Sequence, residues 1–329
     1  MAQDRNSTLL LKDVKVMLSA LNILGYAWIV PVIFGVPGNI LSVLVATRQR
    51  NRGLSPCVYI IGMAVVDTAL LVQVAWFYPF NISFKSELRK ESRGLMLKWV
   101  IYMMTTFGMQ SGFFQAAMSV DRLLAVRWPM AAPRLCSTTR AKKIVIITFL
   151  TITVINMHTF YTKEYSLDPI TGAEYLVVSI GDNRVLELMV TGLEFCIGTC
   201  LPFSIIFSCN VLIIISIRQA SEERRLLRSG TNEEVKDTHF LTRMLLMIST
   251  SYILTSVPYR LFVFMMEMPG VTSNYDFTDP YWNLRYTLEL IAVYDIWMCN
   301  YAVNFYLYCL GGGKRYREDL KQLFKCYFH

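Results

Sequence analysis

Charge is scarce in this sequence: Asp, Glu, Lys and Arg make up only 17% of its 329 residues, against about a quarter in soluble domains. That shortage excludes two ordinary soluble domains, although the length would hold them. Histidine is rarer still. The three present, His158, His239 and His329, are far apart, so the clustered ligands of a metal-dependent membrane hydrolase are missing. The eight cysteines (Cys57, Cys136, Cys196, Cys200, Cys209, Cys299, Cys309 and Cys326) all fall outside the stretches that read as extracellular, which excludes a disulfide-stapled outer face. No stretch of low complexity and no inverted repeat of the kind found in transporters is visible. The opening residues lack the charged-then-apolar pattern and cleavage site of a signal peptide, so the first apolar run is expected to direct insertion. No constellation of side chains suggests an enzyme.

What the sequence does have is apolar length. Hydrophobic residues reach 54%, and seven runs, at 23–47, 56–79, 98–121, 143–162, 186–216, 240–266 and 286–310, each supply the roughly 20 residues that span a bilayer as a helix. Barrel strands would alternate over about ten residues, so the fold class is all-α: a bundle of seven transmembrane helices. The expected division is an extracellular tail (1–22), the bundle (23–310) and a cytoplasmic tail (311–329). The net charge of +8 does not point to nucleic acid, because of where it lies. Twenty of the 32 Lys and Arg residues fall in the connections on one side and eleven on the other, with Arg260 inside a helix. Cytoplasmic connections carry the excess. The amino terminus is therefore predicted outside and the carboxyl terminus inside a plasma-membrane protein. Two glycosylation sequons, at Asn6 and Asn81, lie on the predicted outer side.

Loops are expected at 80–98 and 163–185 outside and at 218–239 inside, the last as helical extensions broken at Gly230. Pro31, Pro37, Pro202 and Pro258 interrupt spans, where neighbours re-satisfy the freed carbonyls and the helix bends. Cys196 and Cys200, one turn apart, read as small buried apolar residues. After Gly311, Gly312 and Gly313 the tail is amphipathic. Tyr316, Leu320, Leu323, Phe324 and Tyr327 share one helical face, and Arg315, Arg317, Lys321 and Lys325 the other. This predicts an eighth helix lying on an anionic leaflet, with Cys326 placed for palmitoylation.

Polar residues inside the spans are costly and mark function. Asp67 sits mid-way along the second span. The seventh carries Asn300, Asn304 and Tyr308 at i, i+4 and i+8 on one face. Asn39 follows Gly38 in the first span, and Ser111 lies in the third. One carboxylate among amides and hydroxyls either holds a hard cation such as sodium or serves only to hydrogen-bond helices together. At the inner end of the third span, Asp121-Arg122-Leu123 offers an arginine able to exchange partners, or a simple helix-end ion pair.

Taken together, these residues resemble the marks of rhodopsin-like G-protein-coupled receptors over nearly the whole chain. Gly38-Asn39, Asp67, Asp121-Arg122 with the following Pro129, Pro202, Pro258 and Asn304 to Tyr308 fall in the family's register. Thr242 to Leu246 and the ending 304–310 are similar to invertebrate neuropeptide receptors. The resemblance implies a sodium site from Asn39, Asp67, Ser111, Asn300 and Asn304, and no other cofactor. It implies heterotrimeric G-protein contacts at Asp121, Arg122, Met130, Arg243 and Tyr308. The chain departs from the family in several places. Leu97 stands where the helix-three cysteine is expected, Ser256 replaces the sixth helix's tryptophan, and Tyr252 and Gly112 replace bulky apolar residues. Ligand-driven activation, high basal output and loss of signalling all remain consistent with those departures.

Retinal needs a lysine in the seventh span. None is present, and Met298 holds the implied position; Met104 stands where amine receptors carry aspartate. The ligand-binding residues are expected to be Met104, Glu194, Arg260, Glu289, Tyr294 and Asp295. The outer half adds Glu187, Glu267, Glu164, Asp168, Glu174 and Asp182. Such acidity would draw a cation, and predicts a basic peptide, an Arg-containing amidated one among the candidates. The opposing expectation is internal pairing, of Arg260 with Glu194 or Asp295 and of Arg285 with Glu289. A non-peptide ligand, and more distantly a transporter, are the other readings.

Overall fold

In the computed structural model, residues 14–21, 23–50, 53–84, 90–167, 174–178, 183–227, 232–267, 280–311 and 318–323 are described. Seven long helices dominate: α1 (Ile29–Arg50), α2 (Pro56–Phe84), α3 (Lys90–Arg127), α4 (Thr138–Ile155), α5 (Arg184 to Leu227), α6 (Asn232–Glu267) and α7 (Pro280–Gly311). Four stretches, Ile29–Arg48, Pro56–Phe77, Thr138–Thr162 and Arg184–Gln219, are long and apolar enough to cross a membrane by composition alone. α3, α6 and α7 carry the polar residues that face the bundle interior, which dilutes their hydropathy. α4 and α5 hide little of their apolar surface inside the protein, as expected where lipid is the solvent.

Local chemistry sets the helix ends. Gly53, with φ of 84°, makes the turn between α1 and α2, a conformation costly for any residue with a Cβ. Ser137 caps α4 by accepting from the Arg140 amide, and Asn183 caps α5 by accepting from Leu186. α1 starts at Ile29, six residues later than the apolar run, because 25–28 form turns. α2 and α3 extend to Phe84 and back to Lys90, so most of the expected 80–98 loop is helix.

Two features depart from the sequence expectation. The 163–185 connection contains an antiparallel hairpin, β1 (Lys163–Leu167) and β2 (Glu174–Val178), with Lys163 opposite Val178. In α5, Cys196–Cys200 form a π-turn just before Pro202. Proline cannot donate to the preceding turn, and a widened turn absorbs the mismatch. Cys196 is exposed and Cys200 half-buried, so they are not the buried pair expected; a thiol facing lipid costs little.

Side chains pack in two layers. Towards the inner side, Tyr59, Met63, Phe114, Met118, Ile248 and Tyr308 form one cluster, joined by Leu323 and Leu320 from the tail helix, 318–323. Lys321 of that helix is exposed, as the amphipathic pattern requires. Towards the outer side, Leu70, Leu71, Val74, Trp297, Met298 and Tyr301 form the other, with Met104, Tyr259 and Tyr294 against it.

Candidate functional site

Between these layers runs a polar seam. Asp67 on α2 is 0% exposed, and its Oδ2 accepts from Asn304 Nδ2 of α7 at 2.9 Å. The Ser111 hydroxyl of α3 is its other polar neighbour. The remaining oxygen, Oδ1, is buried without a hydrogen-bond partner among the described residues. Asn300, one turn above Asn304, accepts from Thr255 of α6 at 3.2 Å. Asn39 on α1 donates to the Tyr301 carbonyl at 3.0 Å, leaving its own oxygen unpartnered. Thus Asp67, Asn304 and Ser111 converge directly. Asn300 bonds instead to α6 and Asn39 to the α7 backbone, and among the described residues neither is hydrogen-bonded to Asp67. A buried carboxylate oxygen with a hydroxyl and amide carbonyls nearby is a donor set that suits sodium.

At the inner end of α3, Asp121 is buried and is held by Ser55, whose hydroxyl donates at 2.8 Å. The Cys136 thiol donates to the Asp121 carbonyl at 3.2 Å. Burial, then the Asp121 charge, pushes that thiol up to about 11, so it stays protonated and able to donate. Because Asp121 is held by its neighbours, Arg122 is not clamped: its Nε has no hydrogen-bond partner among the described residues. Tyr308 is buried. Met130, beyond Pro129, is 97% exposed. Arg243 lies in α6, but its side chain is outside the described residues, as are those of Asn6, Asn81 and Cys326.

The outer half holds an aromatic floor. Tyr259 stacks on Trp297 at 4.6 Å, Tyr294 leans on both, and Tyr301 meets Trp297 edge-on at 5.1 Å. Tyr294 points its hydroxyl at the Met104 sulfur, 3.8 Å away. The Arg260 guanidinium lies over the Trp297 ring, 5.3 Å from its centre, a favourable cation–π geometry. Met104, Arg260 and Tyr294 are therefore brought together. Asp295 sits beside them in sequence, one oxygen buried and without a hydrogen-bond partner among the described residues.

The two glutamates are engaged elsewhere. Glu289 pairs with Arg285 on its own helix at 2.9 Å, as the i, i+4 spacing allows. Glu194 takes His158 Nε2 at 2.6 Å on one oxygen and Lys163 Nζ at 3.1 Å on the other. His158 Nδ1 faces the Ile155 carbonyl at 2.8 Å. The His158 ring is thus held at both nitrogens, by a backbone carbonyl on one side and the Glu194 carboxyl group on the other. Two basic side chains thus meet the one Glu194 carboxyl group.

Several of these partners were not read from the sequence. Trp297, Tyr259 and Tyr301 were missed because aromatic residues in an apolar span carry no periodic signal of their own. The available clue was the Ser256 substitution, which leaves the sixth helix without its large ring. Ser55 and Cys136 around Asp121 come from separate connections, and only the fold joins them.

Comparison with known proteins agrees with this geometry. The family model described as "7 transmembrane receptor (rhodopsin family)" matches residues 38–308. The chain is 24% identical to a melanopsin-like protein of Danio rerio over 79% of its own length and 51% of that protein. It is 24% identical to somatostatin receptor type 4 of Rattus norvegicus over 68% and 56%, and 23% identical to the FMRFamide receptor of Drosophila melanogaster over 89% and 52%. The chain thus spans about half the length of these curated relatives. With the match running from Gly38 to Tyr308, through the helices that carry Asp67, Arg122 and Asn304, the chain belongs to the rhodopsin family of seven-transmembrane receptors, multi-pass proteins of the plasma membrane.

Proposed function

We propose that this receptor binds an extracellular peptide in its outer half and passes the resulting change to a heterotrimeric G protein on its inner face. The observation that carries the reading is the buried Asp67–Asn304 contact between α2 and α7. It lies on a continuous path between the aromatic floor above and the unclamped Arg122 below. The peptide class is supported by relatives named as somatostatin and FMRFamide receptors. Retinal chemistry is not supported, since the buried Met298 cannot form a Schiff base. The excess of Lys and Arg on one side supports an extracellular amino terminus.

The ligand would meet Met104, Arg260, Tyr294 and Asp295. A basic group of the peptide would be met by Asp295, because Glu194 and Glu289 already hold cations. Pressure on the Trp297 floor reaches the polar seam one turn below through Tyr301 and Asn300. There Asp67, Ser111 and the Asn39 and Asn300 carbonyls would hold a sodium ion, which supplies positive charge to the buried carboxylate. α6 pivots at Pro258, and Arg122, Met130, Arg243 and Tyr308 meet the G protein. The apolar, fully exposed Met130 suits insertion into a partner pocket.

The test applies a library of free-acid and amidated peptides to cells expressing the chain, with a second-messenger readout and an untreated control. We expect a peptide-dependent response that Arg122→Ala removes at equal surface expression. Substrate flux into liposomes, with no nucleotide exchange on purified G protein, would show a transporter instead.

A further inference from the structure

Arg260 is set well within a predicted span, six residues from its end, whereas Lys98, Lys143 and Arg243 lie at or near span ends. A charge inside a span is costly and marks a functional group unless it is paired. It is not paired. Glu194 is taken by His158 and Lys163, Glu289 by Arg285, and Asp67 by Asn304. Among the described residues Arg260 makes no ion pair, with Asp295 or any other acid, and its guanidinium lies on the Trp297 face.

The neighbouring wall is shaped around this free guanidinium. A Cβ at Gly108 on α3 would lie 3.0 Å from Arg260 Nη2, 3.0 Å from Trp297 Cζ2 and 3.0 Å from Tyr301 Oη. Three side-chain tips from two helices therefore converge on a spot where α3 presents no side chain. A second observation lies one turn deeper on the same face of α6. The Ser256 hydroxyl is buried, 3% exposed, and has no hydrogen-bond partner among the described residues. An unsatisfied buried hydroxyl is itself unfavourable, and Ser256 lies at i−4 from Arg260. The arrangement has a donor fork, a hydroxyl donor and an aromatic wall, and among the described residues neither donor is hydrogen-bonded to an acceptor.

We propose that Arg260, with Ser256 beneath it, is an anion-recognition site in the floor of the ligand pocket, taking a carboxylate carried on an aromatic or apolar body. A planar carboxylate fits the guanidinium fork in two parallel bonds. A phosphate dianion would exceed the single positive charge available. The carboxylate has two sources in a peptide, a free carboxyl terminus or an Asp or Glu side chain. The apolar body would lie along the stacked Tyr259–Trp297 pair. This inference rests on the peptide-receptor reading and gives that ligand a second charge, opposite to the one Asp295 would meet.

The experiment uses the full chain purified into lipid nanodiscs and follows its thermal unfolding with three probes: N-acetylphenylalanine, its carboxamide, and N-acetylaspartyl-phenylalaninamide. The free acid should bind at least tenfold more tightly than the amide. Arg260→Gln should reduce the acid to the amide's level, Arg260→Lys should keep part of the preference, and Ser256→Ala should weaken the acid about threefold. The aspartyl probe tells the two sources apart, since binding on a par with the free acid assigns a side-chain carboxylate. Equal binding of acid and amide to the unmutated chain overturns the proposal, even if Arg260→Gln fails to fold. So does an acid preference that Arg260→Gln leaves intact. Nucleotide exchange on purified G protein separates the two ideas. An acid preference without any peptide-driven exchange leaves the site standing and sinks the receptor reading. Exchange indifferent to Arg260 does the reverse.

Discussion

Gly112 on α3 and Tyr252 on α6 both depart from the family pattern, and the structure shows that they depart together. A Cβ at Gly112 would lie 2.5 Å from the Tyr252 hydroxyl and 3.1 Å from the carbon bearing it. The phenol is buried against Ala116 and Ile206 and has little room to retreat. Gly112→Ala should gain up to about 1 kcal/mol of helix propensity, yet lose about 1–3 kcal/mol to overpacking. The net expectation is a lower unfolding temperature. Tyr252→Phe removes the colliding oxygen, so Gly112→Ala with Tyr252→Phe should recover most of the loss. A double-mutant cycle on the purified receptor measures this, and strictly additive effects would mean that the pair is not coupled. Gly108 repeats the device one turn up, where the empty wall admits Arg260, Trp297 and Tyr301.

At the scale of elements, the question is what holds the outer hairpin in a chain with no cysteine in its outer connections. The α3 side supplies Lys98, which donates to the Phe160 carbonyl at 3.2 Å, and a cluster of Trp99, Tyr102 and Phe160 with centroids 4.8 to 5.7 Å apart. The α5 side supplies Glu194, gripping His158 just after α4 and Lys163 at the start of β1. Glu194→Gln should release both cations from a partly buried site. We expect a cost of about 1–3 kcal/mol, below that of a fully buried pair because roughly a quarter of the Glu194 side chain is exposed. Faster amide exchange across Lys163–Leu167 and Glu174–Val178 would report it, whereas unchanged exchange there would show that the α3 contacts suffice. None of this clasp was legible in the sequence. Helices α1 to α7 were, because each needs about 20 apolar residues and no partner to announce itself. The Arg285–Glu289 pair was also legible as an alternative, being local to one helix. The hairpin's strands, five residues each, lie below the length at which alternation stands out. The fate of Glu194 depends on contacts 31 and 36 residues away, which spacing along a helix cannot reveal.

For the whole molecule, the Asp67 seam is where the helices that face outward signals and inward partners share one buried carboxyl group. α2 supplies the carboxyl group, α7 its amide donor and α3 the hydroxyl, and α6 is tied to α7 one turn away by the Thr255–Asn300 bond. A cation held there favours whichever arrangement keeps these four helices drawn together, and a ligand that parts them must work against it. Binding of the two is then reciprocal: each weakens the other by the same factor. At ten times its dissociation constant, sodium would stabilise the closed arrangement by about 1.4 kcal/mol, and agonist affinity would fall by about tenfold. Potassium, being larger, should do much less. Asp67→Asn removes the charge but keeps the shape, so agonist affinity in that variant should stop responding to sodium while remaining measurable. Radioligand or peptide-competition curves in sodium against potassium, with unmutated chain and variant side by side, read this directly. If the unmutated receptor shows the same curve in both salts, Asp67 is a hydrogen-bonding strut between α2 and α7. The two arrangements must then be set by the aromatic floor and Arg122 alone.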